Sequence, residues 1–223
     1  MGYKLREVRS EEMRVLVGCE ESQAVCKAFR ELGHEAFSCD ILPCSGGHPE
    51  WHIQGDVLEQ LDKGWDLMIA HPPCTYLSNA GSLHLFKGKK LNQERYLKGL
   101  EAKEFFMKLL NAPIAKICVE NPIQATIFKI PKYTQIIQPY MFGDEASKKT
   151  CLWLKGLPNL QPTKIVGTGE WVYFKSKDGK QKRLQKWYHE ALTKSKSAEE
   201  RRTLRSKTFL GIAKAMAEQW GKQ

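Results

Sequence analysis

Met13 to Asp40 reads MRVLVGCEESQAVCKAFRELGHEAFSCD, and this stretch decides the architecture. Met13 to Val17 is an apolar run of strand length that stops at Gly18. From Glu21 to Leu32, apolar residues recur at Ala24, Val25, Ala28, Phe29 and Leu32, the stripe of one helix face, and Gly33 stands at the C-cap position. Glu35 to Cys39 is a second strand, with Asp40 at its end. Strand, turn, helix and strand in about thirty residues make a βαβ unit. The expected fold is therefore α/β and Rossmann-like. In such units the first turn and the helix N-terminus receive a nucleotide-like ligand, and the acid after strand two binds ribose hydroxyls.

The turn here reads G-C-E-E-S rather than G-x-G-x-x-G. Two glutamates repel a pyrophosphate, so the expected ligand is a nucleoside without phosphates that carries a cationic group. S-adenosylmethionine fits that description. Gly18, Glu20, Ser22, Asp40 and Ile41 are the candidate donor-binding residues of this half. Asp56, after a short strand at His52 to Gln54, is read equally as an acceptor for the adenine amino group and as a helix N-cap.

Two further strands end abruptly. Leu67 to Ala70 runs into His71-Pro72-Pro73-Cys74, and Lys116 to Val119 runs into Glu120-Asn121-Pro122. Proline cannot continue a ladder, so a thiol and a carboxylate are each delivered at a strand's carboxyl end. In open α/β sheets ligand crevices form there. Between them, 75–90 reads as a loop long enough to be a lid. Asn92 to Leu110 reads as an amphipathic helix, with Tyr96, Leu97, Leu100, Phe105, Leu109 and Leu110 marking its buried side. Further on, Thr134 to Gln138 and Thr150 to Leu154 are expected strands. WVYFKSKDGKQ is an expected hairpin turning at Asp178-Gly179, and Ser197 to Trp220 an expected helix with Leu210, Ala213, Met216, Ala217 and Trp220 on one face.

The net charge of +10 and a pI of about 9.2 suit a polyanionic partner, nucleic acid first. From 164 to 205, twelve Lys and Arg face five acidic residues, so the excess is concentrated there. Lys175, Lys177, Lys182 and Arg183 are the expected DNA contacts of this region, with Lys148 and Lys149 beside the chemistry. Seven scattered cysteines do not suggest a disulfide framework. Cys39, Cys44, His48 and His52 have zinc-compatible types, but no paired C-x2-C knuckle is present and no metal is expected. No apolar run approaches the ~20 residues that span a bilayer. The expected protein is cytoplasmic, off the membrane and monomeric. Residues 1–12 are expected to be an extension, 13–163 a catalytic and donor-binding domain, 164–205 a small target-recognition region, and 206–223 a helix completing the first domain.

A thiol, a carboxyl group and a sulfonium donor together suit one reaction. Position 5 of a pyrimidine is too weak a nucleophile to take a methyl group directly. A thiolate adding at position 6 turns the ring into an enamine-like species, and a carboxylic acid at ring nitrogen 3 stabilises the charge that builds there. The chain resembles the DNA cytosine-5 methyltransferase family in the order of these parts. Gly18-Cys19-Glu20 with Asp40 is similar to its donor-binding turn, Asp56 to its adenine acid, Pro72-Pro73-Cys74 to its nucleophile motif and Glu120-Asn121-Pro122 to its Glu-Asn dipeptide. Ser206 to Ala217 is similar to its closing helix.

The resemblance implies the methyltransferase form of the Rossmann-like fold, with a small basic target-recognition insertion and S-adenosylmethionine as donor. It implies DNA as substrate, a cytosine flipped from the duplex, Cys74 as nucleophile and Glu120 as its acid. Pro72, Ser206 and Lys207 join the donor-binding set. Two departures stand out. The family's Gln-x-Arg-x-Arg falls at Ala146, Lys148 and Thr150, so Lys148 and Thr150 take the place of its arginines. At the closing helix a lysine, Lys207, would suit a carboxylated donor analogue. Methyl transfer is the main expectation; transfer from such an analogue, or a catalytically silent DNA-binding homologue, are the alternatives.

Overall fold

The computed structural model describes residues 11–222 apart from 177, 198–199, 202–203 and 205–207. Lys177, Ser206 and Lys207 therefore lie outside the described residues, as does most of the N-terminal extension. The βαβ opening forms as β1 (Arg14–Gly18), α1 (Ala24–Glu31) and β2 (Glu35–Asp40), followed by β3 (His52–Gln54) and β4 (Leu67–Ala70). Beyond them come α2 (Asn79–Ser82), the two-residue strands β5 (Phe86–Lys87) and β6 (Lys90–Leu91), α3 (Gln93–Leu110) and β7 (Lys116–Asn121). Next in the chain are β8 (Gln135–Ile137), β9 (Thr150–Lys155), β10 (Trp171–Lys175), β11 (Gln181–Gln185), α4 (Lys186–Thr193) and α5 (Leu210–Trp220).

Seven of these strands form one sheet in the order β3-β2-β1-β4-β7-β9-β8. The first five run parallel, and β9 pairs antiparallel with both β7 and β8. The chain steps outward from β1 to β3 on one side and from β4 to β7 on the other. The strand order thus reverses between β1 and β4, where open sheets place their ligand crevice. The fold is α/β and Rossmann-like.

Alternation along each strand sends side chains to opposite faces. Val15, Val17, Leu67, Ile69, Cys118 and Leu152 pack on one face with Val25 and Phe29 of α1 and Met216 and Trp220 of α5. Leu16, Met68, Ile117, Val119 and Trp153 pack on the other with Phe106 and Leu109 of α3. Helices cover both faces, and the strands are correspondingly apolar throughout.

Three expectations need correction. Leu97 and Leu100 are not on the buried side of α3; they are 56% and 37% exposed. Gly99 faces inward instead, and a Cβ there would come within 2.2 Å of the Phe128 ring. That close approach, with Tyr96 stacked on Phe128 at 5.9 Å, turns Leu97 outward. Second, the C-terminal segment is not one helix from 197. Thr208 and Phe209 are non-helical, Phe209 is extended at ψ 135°, and Leu210 is 70% exposed while Ala213, Met216, Ala217 and Trp220 are buried. Third, 75–90 is not structureless, since α2 and the β5–β6 hairpin occupy it. The helix α4 was also not expected from the sequence.

The start of α5 is fixed by a close approach. Gly211 N–H donates to Asp144 Oδ2 at 2.9 Å, and a Cβ at 211 would lie 2.0 Å from the Phe142 carbonyl oxygen. Backbone cannot yield as a side chain can. Gly211→Ala is expected to destabilise by about 1–3 kcal/mol, read in thermal unfolding as about 2–4 °C per kcal/mol for a chain of this size.

Candidate active site at the carboxyl edge of the sheet

The carboxyl ends of β1, β2, β3, β4 and β7 lie along one edge of the sheet, and antiparallel β9 begins there, because Asn121 at the end of β7 is in register with Cys151. This topology alone gathers Gly18, Asp40, Asp56, Cys74, Glu120, Lys148 and Thr150 along that edge.

On the β1 side, the turn after Gly18 is folded tightly. Cys19 and Gln23 both adopt left-handed backbone, with φ of 58° and 59°. Glu20 is turned inward and 4% exposed, and its two carboxylate oxygens accept from the N–H groups of Val25 and Cys26 at 2.7 and 3.2 Å. The first turn of α1 is thus occupied by the chain's own carboxylate. Burial pushes the Glu20 carboxyl up, and His71 and the two amides pull it back only in part. Burial also raises the Cys19 thiol, with Asp40, Cys39 and Asp56 adding to the rise; those acids therefore stand close to the turn.

Asp40 Oδ1 accepts from Leu42 N–H at 2.9 Å, and Ile41 beside it is 74% exposed. Asp56 Oδ1 accepts from Leu58 N–H at 2.9 Å, so the N-cap reading of Asp56 holds. A Cβ on Gly18 would meet Val57 Cγ2 at 2.7 Å. Ser22 is half-buried in the turn. Gln23, missed in the sequence, is fully buried and ties 44–48 to the turn: its amide donates to His48 O at 2.8 Å and accepts from His48 N–H at 3.0 Å.

On the β4–β7 side the ladder pairs Ala70 with Val119. His71 and Glu120 each stand one residue further on, and His71 Nδ1 meets Glu120 Oε2 at 2.9 Å. Their side chains are 14% and 15% exposed. Burial opposes the charge of Glu120, but the hydrogen bond and charge of His71, joined by Lys148, outweigh it and hold the carboxyl below its ordinary value. For His71, burial likewise opposes the charged form; Glu120 and then Glu20 outweigh it, against Lys148, and the imidazole titrates above its ordinary value. Each group thus favours the charged form of the other.

The two loops beyond are laced together. Asn121 Nδ2 donates to Pro72 O at 3.0 Å, Asn79 N–H to Ile123 O at 2.8 Å, and Ala125 N–H to Leu77 O at 2.7 Å. Arg95, from the first turn of α3, donates to Thr75 O at 3.1 Å and to Gly81 O at 3.0 Å and covers the Tyr76 ring. Pro72 is buried in this framework, whereas Cys74 is exposed; among the described residues the other cysteines are buried or half-buried. Lys148 is half-buried, with Nζ 5.9 Å from the Phe209 ring centroid and its charge felt by both His71 and Glu120. Thr150 is 3% exposed and donates to Lys148 O, so its hydroxyl is turned into the protein.

Beyond the sheet, β10 and β11 form the expected antiparallel hairpin. Tyr173 is 59% exposed opposite Arg183, whose guanidinium lies 4.3 Å from the Trp171 ring centroid. Lys182 pairs with Phe174, one position off, so it belongs to the other face of the hairpin from Arg183 and Lys175. Lys149 is exposed immediately before β9.

The cysteine and histidine grouping is dispersed. Cys39 Sγ–H donates to Gly55 O, Cys44 Sγ–H to Gln23 Oε1, His48 stacks on Trp51, and His52 bonds Ser38 and Leu42. Among the described residues no group of three His, Cys, Asp or Glu could hold a metal, and no helix is long and apolar enough to cross a membrane.

No protein-family model matches the chain, and no curated protein is similar to it in sequence. Among solved structures, it is similar to a protein described as a DNA modification methyltransferase encoded within a prophage of E. coli, at 11% identity and a TM-score of 0.41 over 81% of this chain. It is also similar to the Entamoeba histolytica methyltransferase EhMeth, at 12% identity and a TM-score of 0.42 over 70% of this chain. The matches span 64% and 58% of those two proteins.

Proposed function

We propose that the chain is a DNA cytosine-5 methyltransferase that acts through a covalent adduct between Cys74 and position 6 of a flipped cytosine. The observation that carries this reading is that Cys74 follows β4 and Glu120 closes β7, neighbouring parallel strands whose ends are joined by the Asn121–Pro72 hydrogen bond. An exposed thiol and a buried, oriented carboxyl delivered by neighbouring strands are the minimum that addition to a pyrimidine requires.

The donor site fits a cationic nucleoside. A phosphate would need the N-terminus of α1, which Glu20 already fills. Asp40 and Asp56 near the turn offer carboxylates to a ribose diol and an adenine amine, and Ile41 offers an exposed apolar surface beside them. S-adenosylmethionine, when bound there, supplies an electrophilic methyl group. The chain's residues do the rest. Cys74 adds to the ring, Glu120 orients the Watson–Crick edge and answers the charge at nitrogen 3, and Lys148 supplies positive charge where the family carries an arginine. Lys148 lacks the bidentate fork of arginine, so it acts here as a point charge.

Tyr173, Lys175 and Arg183 share one face of the hairpin and are assigned to the DNA backbone and bases; Lys182, on the other face, and Lys149, before β9, are further candidate contacts. Binding to long duplexes should weaken linearly in log affinity against log salt. Replacing Lys175 and Arg183 together by alanine should flatten that slope by about one unit per lost phosphate contact, measured by fluorescence anisotropy.

The test of the function is mass analysis of nucleosides from duplex DNA incubated with the protein and S-adenosylmethionine. Deoxycytidine heavier by one methylene supports the reading. DNA modified only when a carboxylated donor is supplied would support the alternative donor. DNA left unmodified by either, yet bound with salt dependence, would leave a silent DNA-binding homologue and overturn the enzymatic reading.

A further inference from the structure

We propose that His71 is the positioning residue of Glu120: it orients the carboxyl group and supplies the proton that Glu120 relays when charge builds on the substrate ring. This rests on the cytosine reading above, and it assigns work to a residue that reading does not use.

The geometry is specific. His71 sits in the strand register next to Glu120, and its own N–H donates to Gly18 O at 2.9 Å, which anchors it to β1. Its Nδ1 engages Glu120 Oε2 at 2.9 Å, leaving Oε1 as the oxygen assigned to the base. Nε2 is buried with no hydrogen-bond partner among the described residues. A buried ring nitrogen left unpaired is costly, and a histidine retained under that penalty is there for its other nitrogen or its charge. A neutral amide would hold the carboxyl as well but could not carry the proton. The other charged or titratable groups that face the pair are Lys148 from the segment before β9, Glu20 from the turn after β1, Cys118 on β7 and Cys151 on β9.

The proton balance closes without any further reagent. Before attack, the pair holds one proton between imidazole Nδ1 and the carboxylate. As the Cys74 thiolate forms its bond to position 6, the 5,6 double bond opens and its electron pair spreads onto the ring. That one proton passes from His71 Nδ1 through the Glu120 carboxyl to nitrogen 3, and Glu120 is left a carboxylate. The imidazole is left neutral, with its remaining proton on Nε2. Expulsion of the thiolate runs the same transfers backwards.

The test uses the full chain with duplex DNA in heavy water and no donor. Reversible thiolate addition then exchanges the hydrogen at position 5 of the target cytosine for deuterium, which is read by nucleoside mass. Exchange should rise with pH as the thiolate forms, and fall again as pH climbs through the raised value of His71, above 6.5. H71N keeps a donor at the Nδ1 position without a titratable proton. It should bind DNA and donor as the wild type does, exchange about 10²-fold more slowly, and show its falling limb displaced toward the carboxyl range.

An H71N protein with the wild-type rate and the wild-type falling limb would overturn the role of His71 while leaving the cytosine reading intact. A wild type that neither exchanges nor modifies cytosine overturns both. Should H71N fail to fold, NMR titration of the His71 ring in the wild type decides. A midpoint that coincides with the falling limb supports the proposal, and a midpoint apart from it overturns it.

Discussion

Cys74→Ser should lose turnover by a factor on the order of 10⁴ or more, as removal of a covalent nucleophile does, with donor affinity unchanged. The thiolate is the attacking species, and a serine hydroxyl is far too weak an acid to ionise beside it near neutral pH. Sulfur to oxygen is a small change on an exposed loop, so the melting temperature should not move. The proposed donor pocket is built from the turn after β1 and the ends of β2 and β3, whereas the Cys74 carbonyl accepts from Ser78 N–H at 3.0 Å within its own loop. Single-turnover kinetics on a duplex, with donor binding measured separately by calorimetry, separates the two effects. A serine variant that still turns over would sink the covalent mechanism. Trapping on DNA containing 5-fluorocytosine gives the same answer independently, because a lasting adduct requires an active thiol.

Glu120→Gln should slow the chemical step by about 10²–10⁴-fold, the range of a lost general acid, and weaken DNA binding far less. The amide oxygen can still accept from His71, and the amide nitrogen can still donate to ring nitrogen 3. Orientation is retained while the proton is not. A variant that loses affinity at an unchanged rate would show that Glu120 only binds. The ion pair also has a stability signature. The depressed carboxyl of Glu120 contributes above its unfolded value of 4.5 and is lost as pH falls through the folded value. The raised imidazole of His71 contributes fully below 6.5 and is lost as pH rises through its folded value. The pair therefore stabilises the fold best between those two unfolded values.

Much of this site was legible because strands that stop at proline announce their carboxyl ends. Leu67–Ala70 before Pro72 and the apolar run before Pro122 announced the edge, although β7 carries on through Glu120 to Asn121, two residues past the expected end at Val119. The parallel order of the first strands followed from the βαβ opening. What stayed hidden depended on register or on backbone conformation. His71 and Glu120 meet because each stands one residue past the paired Ala70 and Val119, which could have been counted once β4 and β7 were taken as neighbours. Gln23 organises 44–48 through a left-handed backbone that composition does not announce at glutamine. Leu97 looked buried because the helical stripe was drawn through leucines, whereas the closest approach belongs to Gly99. Lys148 reaches the edge only because β9 runs against its neighbours, and nothing in its own stretch states a direction.

The lacing of the two loops has a dynamic consequence. Asn79 and Ala125 donate across to each other's loops, and Asn121 reaches back to Pro72. Neither loop can open without breaking bonds held by the other. Nucleophile and acid therefore belong to a single cooperative unit of local unfolding. Their spacing survives fluctuations of the surrounding hairpins, and when that unit melts the protein loses both at once.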